Sequence, residues 1–347
     1  MSDFNLDTID IHTPELYLER GYPFAEWDFM RKEAPIFWYE RDEIAPFWSI
    51  TRHADILTIS KNADIFVNSK RLRLQSKEDD ARQEFSTNLR NEQRGWDPNE
   101  VSDFIFMDDP RHRNFRLLSA KRFTPAALRK VEGHFAQMSH DFASEFLTEL
   151  KGAGKRGETT DFVKGFAEKL PLAAIGEMMG LPTGDWKRLK QITNVMIGAP
   201  EVDFFNEGED RNTGVWRAMD EMTDYMIGVI RDREARGPEN DDLSTQIVHA
   251  MLDGKRLTDQ QLQGYLFVIL AAGNETTQNA ITGGVAALLE HPEQVKLLAE
   301  NADNEDLIKS CGEEILRWTS PVLQFARTAV EDFELSGQTI KAGEDVG

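Results

Sequence analysis

The sequence predicts a mainly α-helical protein with a small β-sheet portion. Three observations carry that expectation. Apolar residues return every three or four positions through several long windows. Strand-like runs are confined to Ile36–Glu40, Phe47–Thr51 and the segment Arg327–Glu344, where Gly337 marks a turn. No internal repeat, low-complexity tract or linker divides the 347 residues, 40% of which are hydrophobic, so a single domain over 1–347 is expected.

The helices follow in order. Leu128, Val131, Phe135, Met138, Phe142 and Phe146 step by three or four after Thr124-Pro125, a cap followed by a good first-turn residue, and predict a buried stripe. The run Lys151–Gly157 is expected to break that helix, and a second helix over Asp161–Pro182 is expected to stop at Gly180. The acidic stretch 198–214 is longer than an ordinary connection and is expected to be a mobile loop. Beyond it, a helix is predicted over Val215–Arg236, a short one from Asp242, and a turn at Gly254. Thr258 with Asp259 starts a long helix to about Glu290, and Pro292 begins another.

Forty basic against sixty-one acidic residues give a formal charge of -21, which repels nucleic acid and anionic membranes. The single cysteine, Cys311, excludes an intramolecular disulfide framework and fits a reducing compartment. No signal peptide opens the chain, and the longest strongly apolar run, Tyr265–Ala272, is too short for a transmembrane anchor. A cytoplasmic monomer that binds no nucleic acid is expected.

One segment departs from good helix chemistry. Ile269–Ala280, "ILAAGNETTQNA", places Gly273 and two threonines inside an apolar helix, and a glycine there costs about 0.5–1 kcal/mol relative to alanine. Helical spacing puts Ala272 and Thr276 on one face beside Glu275, where a hydroxyl and a carboxylate can relay protons. The plainer alternative is that Thr276 bonds back to the carbonyl of residue 272. Elsewhere, Glu314 and Arg317 are spaced to pair at i, i+3. His112 and Arg116 share a face at i, i+4 within a basic stretch from Arg111 to Arg122, which reads either as a solvated face or as an anion-binding one.

Taken together, "AGNETT", "EILR" and "HRNFR" resemble the motifs of the cytochrome P-450 superfamily of haem-thiolate monooxygenases. The segments from Pro35 to Ser69 and from Ser320 to Thr328 are similar to its N-terminal strand pair and to the strand after its Glu-x-x-Arg helix. The resemblance implies a cytochrome P-450 fold with haem b. Ala272 and Gly273 would lie over the distal haem face at a local helix distortion, with His112, Arg116 and Arg327 binding the propionates. Thr276 would hold the hydrogen-bond network around dioxygen, and Glu275 would help deliver protons for O–O cleavage. Glu314 and Arg317 would form a structural ion pair, and Val268, Ala271, Val322 and Leu323 would line the substrate pocket.

The resemblance further implies a hydrophobic substrate such as a steroid, branched lipid or terpenoid. Electrons would come from NAD(P)H through a ferredoxin reductase and ferredoxin, docked in part on Arg113, Arg116, Lys121 and Arg122. A cavity under helices bearing Met196, Met219, Met222 and Met226 would suit such a substrate, although methionine stripes are usually core.

The sequence lacks the family's glycine-rich cysteine loop, and Cys311 lies on the Glu-x-x-Arg helix, so no metal ligand is assigned. The expectation is a fold incomplete at its C-terminus. The competing expectation is a catalytically inactive helical fragment or apolar-ligand carrier without thiolate-ligated haem. A metal hydrolase or nucleotide-binding enzyme has no HExxH, Walker loop or Gly-x-Ser-x-Gly to support it.

Overall fold

In the computed structural model, which describes residues 4–197 and 205–347, the N-terminal part alternates short helices and strands. Helices α1 (Pro14–Arg20) and α2 (Phe24–Glu33) precede the hairpin of β1 (Ile36–Tyr39) and β2 (Phe47–Ile50). Helix α3 (His53–Lys61) and β3 (Phe66–Val67) follow. Helix α4 (Lys77–Arg94) has too few apolar residues for its period to be read from sequence. Its signals are at the ends: the Ser76 hydroxyl accepts from the Asp79 amide, three acids occupy the first turn, and Gly95 closes it with φ +63°. Helix α5 (Arg111–Ala120) carries the basic stretch.

Helix α6 (Pro125–Arg156) is capped by Thr124, as expected, yet it runs through Lys151–Arg156 and stops only at Gly157, with φ +73°. The expected break is thus misplaced, because alanine, lysine and arginine between Gly152 and Gly154 and beyond sustain the helix until a left-handed residue is needed. The predicted second helix divides into a π-helical turn (Val163–Ala167) and α7 (Lys169–Met178). Next come α8 (Trp186–Ile197), α9 (Arg211–Arg236), α10 (Leu243–Val248) and the hairpin β4 (Met251–Leu252) with β5 (Lys255–Arg256) around the Gly254 turn. Of the expected loop, residues 198–204 lie outside the described residues, and 211–214 belong to α9. Helix α11 (Asp259–Glu290) begins with a full capping box between Thr258 and Gln261. The chain continues through α12 (Pro292–Glu300), α13 (Glu305–Thr319), β6 (Arg327–Ala329), β7 (Phe333–Leu335), β8 (Gln338–Ile340) and β9 (Asp345–Val346).

The described residues fall into two compact units. The first contains residues up to Arg116, the segment ending at Asp220, and Gln324–Gly347. Its five-stranded sheet has the order β1-β2-β9-β6-β3, with β2 and β9 parallel and the other neighbours antiparallel, and β7–β8 form a separate hairpin. Ile36, Ile50, Phe66, Ile340 and Val346 build one core of this unit, and Met30, Tyr39, Ile44 and Phe47 build another.

The second unit contains Leu117–Ile197 and Glu221–Leu323, and α11 is its central helix, packed on α7, α13 and the π-helical turn. Leu262, Leu266 and Leu270 of α11 are buried, as are Met222 and Met226 of α9, so those two methionines are core. The α6 stripe is less buried than expected: Phe146 is enclosed against Phe162, while Leu128 is 40% exposed. Only the part of α6 that faces the π-helical turn and α7 meets enough neighbours to cover it.

Candidate functional site

Two groups of residues emerge, one in each unit. In the first unit, α5 places His112 and Arg116 one turn apart. His112 stacks on Phe104 with ring centroids 6.5 Å apart, and its Nδ1 lies 3.7 Å from Asp109. Arg116 is exposed and makes no ion pair or hydrogen bond among the described residues. Arg327 starts β6, half-buried, and its Nη1 donates to the carbonyl of Ala326 at 2.7 Å. Burial lowers its guanidinium pKa, with Asp108 pulling it back up without reaching ion-pair distance. Such a desolvated cation suits an anionic partner.

In the second unit, α11 sorts the motif by face. Ala272 is exposed and Thr276 half-buried, and the Thr276 hydroxyl donates to the Ala272 carbonyl at 2.7 Å. The back-bond expected from the plainer alternative is therefore present. The expected local distortion is not: α11 is continuous α-helix from Asp259 to Glu290. The threonine hydroxyl shares a carbonyl already used by the helix and does not displace the ladder. Gly273 faces α7, where an added Cβ would meet Ile175 at 3.1 Å, so the glycine permits close helix packing. Asn274 is fully buried, and neither polar atom of its amide has a hydrogen-bond partner.

Glu275 points inward to a residue that sequence reasoning missed. Lys190 of α8, itself buried, donates from Nζ to Glu275 Oε1 at 2.5 Å and to Gln278 Oε1 at 2.6 Å. Glu168 lies close enough for both charges to act on it; burial raises its carboxyl pKa and Lys190 lowers it. A signal for Lys190 exists in the sequence, since it falls at helical spacing between Trp186 and Thr193, and Thr193 is also buried.

The expected pocket residues differ in exposure: Val268 is buried, Ala271 half-buried, and Val322 and Leu323 are 45% and 44% exposed. Glu314 and Arg317 form a bidentate pair at 2.6 and 2.7 Å on the open surface of α13. Arg122 is committed to Asp241 and Gln246, which removes it from the expected docking cations, while Lys121 is exposed. Among the described residues no cluster of side chains could hold a metal ion, and no helix is long and apolar enough to cross a membrane.

The Cytochrome P450 family model matches residues 79–347. The chain belongs to the cytochrome P450 family. It is 31% identical to the Steroid C26-monooxygenase of Mycobacterium tuberculosis, over 97% of this chain and 72% of that protein. It is 29% identical to the Methyl-branched lipid omega-hydroxylase of the same organism, over 91% of this chain and 69% of that one. Among solved structures, Mycobacterium marinum cytochrome P450 CYP268A2 in complex with pseudoionone superposes with a TM-score of 0.83 at 26% identity, covering all of this chain and 79% of that one. The fold is thus the mainly helical P450 fold with small sheets, and the chain is an enzyme by family.

Membership implies haem, and the residues present fit that group in part. Arg327 and Arg116 are cations without a carboxylate partner among the described residues, and with His112 they match the haem's two carboxylates. The iron is not matched. Cys311 is half-buried in the middle of α13, with no loop around it, and the 347 residues contain no other thiol.

Proposed function

We propose that this P450 is a monooxygenase that inserts one atom of dioxygen into a C–H bond of a steroid side chain or methyl-branched lipid. The identity to two hydroxylases of such molecules supports the substrate class. In this reading all 347 residues belong to one P450 domain, which is supported by a family match reaching into both compact units. Thiolate-held haem, when bound, supplies the activation of dioxygen. None of the described residues supplies its thiolate, Cys311 being held in the middle of α13.

The chain's own residues have the following roles. Arg327, Arg116 and His112 would hold the carboxylates of the haem, and on α11 the exposed Ala272 keeps the surface low, while Gly273 is taken up by packing against Ile175. Thr276 Oγ1, whose proton is given to Ala272, keeps its oxygen lone pairs free to accept a proton-bearing partner. Glu275 is the proton carrier beside it, released when its carboxylate leaves Lys190 Nζ. Val268, Ala271, Val322 and Leu323 line the substrate pocket. Electrons arrive from NAD(P)H through a ferredoxin and its reductase.

The observation that carries this reading is the pairing of a half-buried hydroxyl, on an α11 face with exposed Ala272, with a carboxylate one residue away on the same helix. The test supplies the haem-loaded protein with ferredoxin, its reductase, NADPH and a methyl-branched fatty acid. Hydroxylated product is expected, and Thr276→Ala is expected to raise the peroxide released per product several-fold. No product from a haem-loaded sample, or unchanged coupling in the variant, overturns the reading. The second reading is an apolar-ligand carrier, in which Cys311, half-buried on α13, gives no thiolate to a haem. The spectrum of the reduced, carbon-monoxide-bound protein separates them, because haem held without thiolate has a different absorption maximum.

A further inference from the structure

Lys190 has two acceptors where its pairing with Glu275 needs one, and the second has no role in the reading above. The ammonium lies 2.5 Å from Glu275 Oε1 and 2.6 Å from Gln278 Oε1, on a side chain only 8% exposed. Glu275 and Gln278 stand at i, i+3 on α11 and hold the cation between them. Glu168 feels both charges, yet it is not at ion-pair distance from Lys190 among the described residues. Gln278 is therefore the one acceptor of Lys190 besides Glu275.

Helix geometry decides which of the two acceptors can leave. Successive residues are turned by about 100° about the axis, so Gln278 lies about 60° from Glu275 on one side and Thr276 about 100° from it on the other. A carboxylate that swings toward Thr276 moves away from Gln278 and from the ammonium between them. Without Gln278 that swing strands a buried ammonium with no acceptor, a state far more costly than the loss of one surface ion pair. With it, one charge-assisted bond is kept throughout. The neutrality of the amide matters too. A second acid at 278 would compete with Glu275 for the cation at rest, whereas an amide oxygen accepts from it without adding a charge.

We propose that Gln278 is a positioning residue, which retains the Lys190 ammonium while Glu275 turns toward Thr276, so that the carboxyl leaves and returns without an unpaired cation inside the second unit. This deepens the reading of Glu275 as the proton carrier and rests on it for the purpose of the swing.

Urea unfolding of the full chain in a double-mutant cycle reads the retention without haem. Glu275→Ala mimics a carboxyl that has turned away. In that background Gln278→Leu is expected to raise the unfolding equilibrium constant about tenfold more than it does in the wild type, because Lys190 then depends on the amide alone. Placing Lys190→Met in all four proteins is expected to remove this excess, since no ammonium is left to hold. Additive costs overturn the proposal. So does an excess that survives Lys190→Met, because Gln278 would then act by packing. If Gln278→Leu with Glu275→Ala fails to fold, Gln278→Asn, one methylene shorter, takes its place in the cycle. In the haem-loaded enzyme, Gln278→Leu is expected to raise the peroxide released per product several-fold with KM unchanged, and unchanged coupling overturns the positioning role. A loaded wild type that makes no product sinks the monooxygenase reading and leaves the cycle to decide on Gln278; additive costs in an enzyme that does hydroxylate sink the role of Gln278 alone.

Discussion

Lys190 and Asp103 show how differently two buried charges can be held. Lys190 has two acceptors within 2.6 Å, so its desolvation is offset by charge-assisted bonds. Removing the cation leaves Glu275 enclosed and unpaired, and Lys190→Met is expected to lower unfolding stability by about 3 kcal/mol or more, read from urea midpoints. An unchanged midpoint would mean that the pair contributes nothing. Asp103 has no such bond: burial pushes its carboxyl pKa up to about 6, with Arg90 and Arg73 only pulling it partly back. The folded state therefore binds a proton that the unfolded chain releases near pH 4. Stability from this group is present below pH 4 and falls as pH rises to about 6. Across that window the stability of the wild type relative to Asp103→Asn is expected to drop by on the order of 2 kcal/mol. Parallel pH profiles of the two proteins would refute the assignment.

At the scale of elements, legibility followed the periodic signal. Helix α11 and the strands β1 and β2 were readable because caps, apolar period and β-branched or aromatic content agree there. Helix α4 was not, since its residues are almost all polar and only its ends carry a signal. In the candidate site, Thr276, Glu275 and Arg327 were legible as motif members, while the Lys190 bond to Glu275 joins residues 85 positions apart and lies outside any local pattern. The π-helical turn was unreadable for a related reason: its geometry answers to a neighbour. Gly165 in that turn sits against α6, and an added Cβ would lie 2.5 Å from the Phe146 ring. Phe146 is 9% exposed and meets Phe162 edge to face with ring centroids 5.5 Å apart, so it has little room to retreat. Gly165→Ala is expected to destabilise by about 1–3 kcal/mol through overpacking, despite alanine's better helix propensity. Combining it with Phe146→Leu is expected to recover part of that loss, and a double-mutant cycle measures the coupling.

For the whole molecule, the charge of -21 sets a background against which the local pairs act. Many ion pairs are surface pairs, such as Lys296–Glu300 and Lys309–Glu305, whose individual contributions are small and fall with salt. Self-repulsion among sixty-one acidic residues is long-ranged and opposes the compact state, and it too falls with salt. The two effects have opposite signs. Because the acidic excess is spread over one chain while each surface pair contributes no more than about 1 kcal/mol, relief of repulsion is expected to win. The urea midpoint should therefore rise between 10 mM and 500 mM NaCl, over a range in which the Debye length falls from about 30 Å to a few ångströms. Sucrose at matched viscosity separates screening from general exclusion effects. A midpoint that falls with NaCl would show that the exposed ion pairs outweigh the net charge in holding the fold together, since an enclosed bond such as Lys190–Glu275 is screened far less.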